Sequence, residues 1–257
     1  MKSPKKNRAF PLTALCSLGL SLIAPQNASA QEVSEDRRGG WHVSLGLGAR
    51  YAPTFPGASS SEITPRPLID ARYGWAVFDT FLIGTPFLGL APQFFNDDLT
   101  LMGGVILREG RDPGDDDWLA GQNKIDDTAM ALIGFNWTPG NSLLLLRGWA
   151  ERDVLSNDHG SSLTLELLLR APLPRGIGIQ AGITSTWATE QHLNTWFASA
   201  VNRTAAVTSG QGAQSFSGSG HREWGWIAEG SAPIGESFHL ITRFTMTWLD
   251  SGLEKAP

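Results

Sequence analysis

From Trp41 onward the chain repeats one pattern, with apolar and polar residues alternating at a period of two. In residues 41–51, Trp41, Val43, Leu45, Leu47, Ala49 and Tyr51 hold one parity and His42, Ser44, Gly46, Gly48 and Arg50 the other. Successive side chains of a strand point to opposite faces, so such a segment has one greasy face and one small or polar face. Leu163, Leu165, Leu167 and Leu169 alternate in the same way with Ser162, Thr164, Glu166 and Arg170. Ile177, Ile179, Ala181 and Ile183 alternate with Gly178, Gln180, Gly182 and Thr184, and Trp224, Trp226 and Ala228 with Glu223, Gly225 and Glu229. Phe238, Leu240, Phe244, Met246 and Trp248 alternate with His239, Arg243, Thr245 and Thr247. Weaker signals place strands at 63–73, 76–83, 87–95, 99–108, 128–137 and 142–153, with Pro and Gly breakers between them. The count is about eleven strands of about ten residues, the length a tilted strand needs to cross a bilayer.

A soluble sandwich would bury the apolar face and wet the polar one. A membrane barrel turns the apolar face to lipid and the polar face to the lumen. Three features favour the barrel. Full charges stand in mid-strand on the polar face: Asp70, Arg147, Glu166 and Arg243. Aromatic residues gather at strand ends, with Trp41, Tyr73, Trp137 and Phe238 at one end and Tyr51, Trp187, Trp224 and Trp248 at the other, as two interfacial girdles would require. Connections alternate between short ones (74–75, 96–98, 138–141, 173–176, 234–236) and a set that includes long ones (52–62, 109–127, 188–222), as periplasmic turns and outer loops do. The predicted fold is an all-β, transmembrane, antiparallel up-and-down barrel of about twelve strands. Eleven are readable and the last is expected to be missing, because the largely polar segment from Asp250 to Pro257 is too short to span. That would leave the first and eleventh strands with open edges.

The first 30 residues read differently. Lys2, Lys5, Lys6 and Arg8 precede an apolar stretch, Phe10 to Ala24, and Ala28-Ser29-Ala30 is a small-x-small cleavage site. The expected organisation is a cleaved signal peptide over 1–30, a periplasmic segment over 31–40 and a barrel over 41–257. Leu15 before Cys16 argues against a lipoprotein anchor. The four basic residues of the leader are among 20 in the chain, so 16 remain against 25 acidic ones and the mature charge is about −9. Such a charge disfavours nucleic acid as a partner. No apolar run of 18 residues follows residue 30, which excludes a helical membrane protein. Cys16 is the single cysteine, so the mature chain has no disulfide framework or thiolate zinc site.

Specific residues carry a family resemblance. Val43-Ser44-Leu45-Gly46-Leu47-Gly48-Ala49-Arg50-Tyr51 is followed by Pro53, by Pro56-Gly57 and then by Arg66-Pro67-Leu68-Ile69-Asp70-Ala71-Arg72-Tyr73-Gly74. This run resembles the MipA/OmpV family, the MltA-interacting outer-membrane proteins of Gram-negative bacteria. Gly110-Arg111-Asp112 with Asp115-Asp116-Asp117, and then Lys124-Ile125-Asp126, is similar to that family's third outer loop. The family continues into a last strand ending in an aromatic residue, and here the sequence departs from it. The resemblance implies location in the outer membrane and a non-enzymatic scaffold role, linking a lytic transglycosylase to a murein synthase in peptidoglycan remodelling. Other members are described as adhesins, immunogens or porin-like proteins. A narrow diffusion channel and a surface adhesin therefore stand as alternatives.

Candidate chemistry is sparse. The chain has five histidines, of which His159, with Ser161 and Ser162 and near Asp153 and Asp158, forms the nearest local set for a hydrolase. The same Ser-Asn-Asp-His-Gly-Ser-Ser segment reads as a polar outer loop rich in turn formers. There is no G-x-S-x-G or H-E-x-x-H motif. No catalytic residue, cofactor or metal ligand is assigned. Asp112, Asp115, Asp116 and Asp117 suit either specific calcium binding, without the spaced ligands of an EF-hand loop, or a solvated acidic tip that shares divalent ions with lipopolysaccharide. The most informative set is the charges predicted to face the lumen: Arg50, Arg66, Asp70, Arg72, Arg147, Glu151, Glu166, Arg170, Glu229 and Arg243. They would either set the selectivity of a pore or tie strand to strand inside a plugged bore, and the narrow bore of about twelve strands favours the second. The loop 188–222 is open to an adhesive or a covering role.

Overall fold

The computed structural model describes residues 13–23 as backbone, and residues 40–53, 61–80, 85–95, 98–112, 124–155, 159–197, 218–235 and 238–250. Period-two alternation becomes antiparallel strand throughout. The strands are β1 (Thr13–Ile23), β2 (Trp41–Pro53), β3 (Ser61–Tyr73), β4 (Ala76–Asp79), β5 (Phe87–Leu90), β6 (Gln93–Phe94), β7 (Leu99–Arg108), β8 (Thr128–Trp137), β9 (Leu144–Asp153), β10 (Ser161–Pro172), β11 (Gly178–Ala188), β12 (Gly220–Ile234) and β13 (Phe238–Leu249). One helix, α1 (Glu190–Phe197), follows β11. The strands form a single sheet in the order β5-β4-β3-β2-β1-β13-β12-β11-β10-β9-β8-β7-β6, and an additional β5–β7 ladder links the two ends of this order. β5 and β6 both pair with β7 and act as one interrupted stave, which gives the twelve staves of an up-and-down barrel.

The eleven strands expected from the sequence are present, with some ends moved. The strand expected over 76–83 ends at Asp79, and the one expected over 87–95 is split around Ala91-Pro92. The place between β2 and β13, where a strand was expected to be missing, is occupied by β1. Ten residue pairs join β1 to β13 and eight join it to β2. Its register sets Leu18, Leu20 and Leu22 opposite Ala49, Leu47 and Leu45 of β2.

Proline placement follows the ladders. Pro65 and Pro67 lie in β3, opposite Ala49 and Leu47 of β2. The β3–β4 ladder covers only 70–73, so neither proline sits on it. The next residue of that parity, Ile69, sends its N–H to Thr80 Oγ1 at 2.8 Å, toward the β4 side. The prolines thus turn their missing donor to the side where the β3–β4 ladder has ended, which is where a strand tolerates proline.

The outward face is apolar. Val43, Leu47, Leu88, Val105, Ile133, Leu163, Leu167 and Ile183 are all exposed on it, Leu47 by 68% and Ile133 by 70%. A surface this apolar has lipid as its matching solvent. The interior is filled rather than hollow on one side, where Val77, Phe87, Met102, Ile106, Met130 and Leu132 pack together. Room for Phe87 comes from Gly89 and Gly104: a Cβ on either would lie within 2.8 Å of its ring. A smaller cluster of Leu145, Leu168 and Ile227 lies among the lumen-facing residues of β9, β10 and β12.

Candidate functional site

The lumen charges sort into separate groups. Adjacent register places Arg147 of β9 beside Glu166 of β10, and Glu229 of β12 beside Arg243 of β13. Arg147 Nη2 lies 2.6 Å from Glu166 Oε2 and also 2.6 Å from Glu229 Oε1, so one guanidinium bridges β9, β10 and β12. Arg243 closes the set at 3.1 Å from Glu166 and 3.2 Å from Glu229. Gln180 donates a further hydrogen bond to Glu229. The four side chains are 3–16% exposed. Two cations meet two anions, and the cluster is neutral as a unit.

The other predicted lumen charges stand elsewhere. Arg72 pairs with its own strand neighbour Asp70 at 2.8 Å and lies 4.0 Å from Asp79. Arg66 reaches Glu109 beyond the end of β7, with Nη2 to Oε2 at 2.7 Å. The hydrogen bond from Arg66 holds the Glu109 carboxyl below its ordinary range. Glu151 pairs with Arg108 and accepts from Trp149 Nε1 at 3.0 Å. Arg170 is exposed, with Nη1 3.5 Å from Thr138 Oγ1, and Arg50 is half-buried. The structure thus brings four of the ten together. Arg108, Glu109, Asp79 and Gln180 complete these pairs and were not singled out in the sequence, because pairing depends on register and on loop paths that periodicity does not encode.

The long-loop end carries a cover. Leu193 and Phe197 of α1 pack on Ala188, with Trp196 and Leu249 against them. Gly160, at φ +70°, allows the approach: a Cβ there would lie 2.3 Å from the backbone nitrogen of His192. His192 is 1% exposed and takes a hydrogen bond from Arg222 Nη1 to Nε2 at 3.1 Å. Burial, and then the charges of Arg222 and Arg108, push its pKa down to about 2. It therefore stays neutral under the cover. His159, the centre of the local set considered from sequence, is also buried, with its ring centroid 5.8 Å from that of Trp196. Its backbone N–H donates to Asp153 Oδ2 at 3.1 Å, and Asp153 also accepts from Thr128 and Leu155, which is a loop anchor. Asp158, Asp115, Asp116 and Asp117, the segment 31–39 and most of the loop 188–222 lie outside the described residues. Among the described residues, no three His, Cys, Asp or Glu side chains cluster as a metal site.

The aromatic residues expected at the interfaces lie as follows. At the short-turn end Trp41 and Tyr73 are cross-strand partners with ring centroids 5.2 Å apart, and Trp137, the last residue of β8, and Phe238, the first of β13, are exposed. At the long-loop end Tyr51, Trp187 and Trp224 are exposed, and Trp224 stacks on Trp248 at 4.7 Å. On this outer rim the structure also brings together three residues that stand far apart in the chain. Ser185 Oγ is 2.9 Å from His221 Nε2, and His221 Nδ1 is 3.6 Å from Asp250 Oδ2. They come from β11, from β12 and from just past β13, and only the pairing of those strands assembles them.

Among curated proteins no sequence matches this chain. Several solved outer-membrane structures are similar in outline. OccAB1 of Acinetobacter baumannii matches at 10% identity, with 95% of this chain and 68% of that chain covered and a TM-score of 0.34. The COG4313 outer membrane channel of Pseudomonas putida F1 matches at 12% identity, covering 96% and 100%, with a TM-score of 0.32. A mutant of the Rh. blastica porin matches at 8% identity, covering 92% and 99%, with a TM-score of 0.29. The family model described as MltA-interacting protein MipA matches residues 45–257, nearly all of the barrel. Twelve antiparallel staves, an apolar outer face and this match lead to one assignment: the chain is an outer-membrane β-barrel and belongs to the MipA family.

Proposed function

We propose that this barrel is a binding protein rather than a channel, and that its short-turn end, facing the periplasm, holds a murein lytic transglycosylase. The observation that carries this reading is the neutral cluster of Arg147, Glu166, Glu229 and Arg243 inside the lumen. A conducting pore needs charges free to meet a passing ion, whereas these are spent on one another and lie beside packed apolar side chains. With one side of the bore packed and its mid-strand charges paired, the surfaces left to act are the two ends. The family's description names an interaction with MltA, and the scaffold role implied by the sequence resemblance places that enzyme in the periplasm. The turns at Pro139–Asn141 and Pro174–Gly176 are compact single 3-10 turns that begin with proline, and they present a surface on that side.

The test is affinity capture from cell envelopes by the detergent-solubilised protein, quantified against an unrelated barrel. A lytic transglycosylase should be enriched. The enrichment should be lost when residues 139–141 and 173–175 are exchanged for other tight turns, while heat-modifiable migration shows the barrel still folded. Planar-bilayer recordings should stay silent. Capture that survives both turn exchanges, or a steady conductance whose reversal potential moves in Arg243→Glu, would sink the proposal.

A further inference from the structure

We propose that the outer rim carries a second activity: Ser185, His221 and Asp250 form an acyl-ester hydrolase site that acts on lipid from the membrane side of the barrel. This is independent of the murein-binding reading and uses the opposite end of the molecule.

The local geometry follows from a fault in the ladder. Ser185 pairs with Trp224 and Thr186 with Glu223, so Trp187 should meet Arg222. It meets His221 instead, and Arg222 is the extra residue of a β-bulge. Bulges re-aim side chains in this way and are frequent beside active sites. In regular register His221 would share the lumen parity of Glu223. The bulge turns it to the outer face, where its ring lies edge-on to Trp187 at 5.6 Å, and sends Arg222 inward to His192. Ser185 shares that outer face, since its neighbour Thr186 is buried against Thr164 in the lumen. A hydroxyl, an imidazole and a carboxylate therefore stand in the order nucleophile, base, orienting group. The His221–Asp250 distance of 3.6 Å is long for a hydrogen bond, and catalytic hydrogen bonds often tighten only when substrate binds. The pair is accessible, with side chains 30% and 47% exposed. Asp250 is held in place by its backbone N–H, which donates to Arg222 O at 2.9 Å.

Position selects the substrate class. Ser185 lies in one cross-strand row with Trp224 and Trp248. Tryptophan rings of this kind sit at headgroup level, which is where the ester bonds of a lipid lie. The next row runs from His221 through Trp187, Leu163 and Ala150 to Ile133 along successive ladders. The small Ala150 leaves an apolar groove of about 690 Å³ there, bounded by Ile133, Leu163 and Trp187. Trp187 lines this groove and is the ladder partner of His221, so the groove leads toward the Ser185–His221 pair and suits an acyl chain. In the reaction Ser185 Oγ attacks the ester carbonyl carbon while His221 Nε2 takes the hydroxyl proton. The tetrahedral adduct expels the alcohol, which leaves with that proton. Water, deprotonated by His221, then releases the fatty acid from the acyl-serine and restores the hydroxyl.

The experiment uses the full-length chain in detergent micelles, with folding checked by heat-modifiable migration. A fluorophosphonate probe should give one adduct, on the peptide containing Ser185. Mixed micelles of phosphatidylethanolamine should release fatty acid. Ser185→Ala should abolish both signals and His221→Gln should slow release by about a hundredfold or more, with Asp250→Asn slowing it less. Ser44→Ala, on β2, should change neither. Folded protein that takes no adduct at Ser185, or fatty-acid release that persists in Ser185→Ala, overturns the proposal. Capture of the transglycosylase by Ser185→Ala keeps the two readings distinguishable.

Discussion

The same chemical pair occurs at two places in this barrel with nearly the same geometry. In the lumen Arg147 meets Glu166 at 2.6 Å, and at the loop end Arg66 meets Glu109 at 2.7 Å. Surroundings separate them. Glu166 is 3% exposed and Arg147 10%, against 66% for Glu109 and 30% for Arg66. Water screens the outer pair and can solvate either partner alone, so its contribution is about 0–1 kcal/mol. The inner charges have already lost most of their water, and each depends on the others for its solvation. Such a cluster adds little net stability as a whole, yet breaking it by removing its most desolvated member costs about 3–5 kcal/mol. Distance does not rank these interactions; burial does.

Variants that take one charge at a time sharpen the contrast. The largest expected effect is from Glu166→Gln. It leaves Arg147 and Arg243 sharing Glu229, turns a neutral buried set into one with a net positive charge, and should cost about 3–5 kcal/mol in guanidinium unfolding followed by tryptophan fluorescence. Arg243→Met should cost less, about 1.5–3 kcal/mol, because Arg147 still reaches both carboxylates and Arg243 is the more exposed guanidinium, at 16%. Equal costs for the two variants would mean that burial does not set the order.

Much of this architecture is legible in the residues, and the reasons are local. Leu163 to Leu169 and Trp224 to Ala228 must alternate because each strand has one lipid face and one lumen face, so periodicity alone gives strands, faces and the approximate count. Within the stretch expected to be the core of a leader, Leu18, Leu20 and Leu22 alternate with Ser17, Gly19 and Ser21, which is also a strand pattern. The pairing of β1 with β2 and β13 is a long-range fact. The lumen charges were visible as a class, but not their partners. Arg147 and Glu229 lie 82 residues apart and meet only because four strands fix their relative height. The outer-rim triad was less legible still. Regular alternation puts His221 on the lumen side, and only the bulge at Arg222 reverses it.

The smallest effect belongs to the outer pair, and it is the sharpest check on the comparison. Glu109→Gln should cost no more than about 1 kcal/mol near neutral pH. The difference should shrink in about 1 M salt, where the screening length falls to about 3 Å. Its pH dependence has a fixed sign. The hydrogen bond from Arg66 lowers the folded-state pKa of Glu109 below the unfolded value of about 4.3. The unfolded chain then binds more protons in that range, so the stabilisation is complete above about pH 4.3 and is lost as the pH falls toward the lowered folded value. Unfolding curves for the wild type and Glu109→Gln should therefore differ slightly at pH 7 and converge as the pH falls through the lowered folded value. The lumen cluster, measured through Arg243→Met, should keep most of its cost in high salt because little solvent reaches it. A Glu109→Gln cost above about 2 kcal/mol, or one indifferent to salt, would place the outer pair with the inner one and remove burial as the variable that separates them.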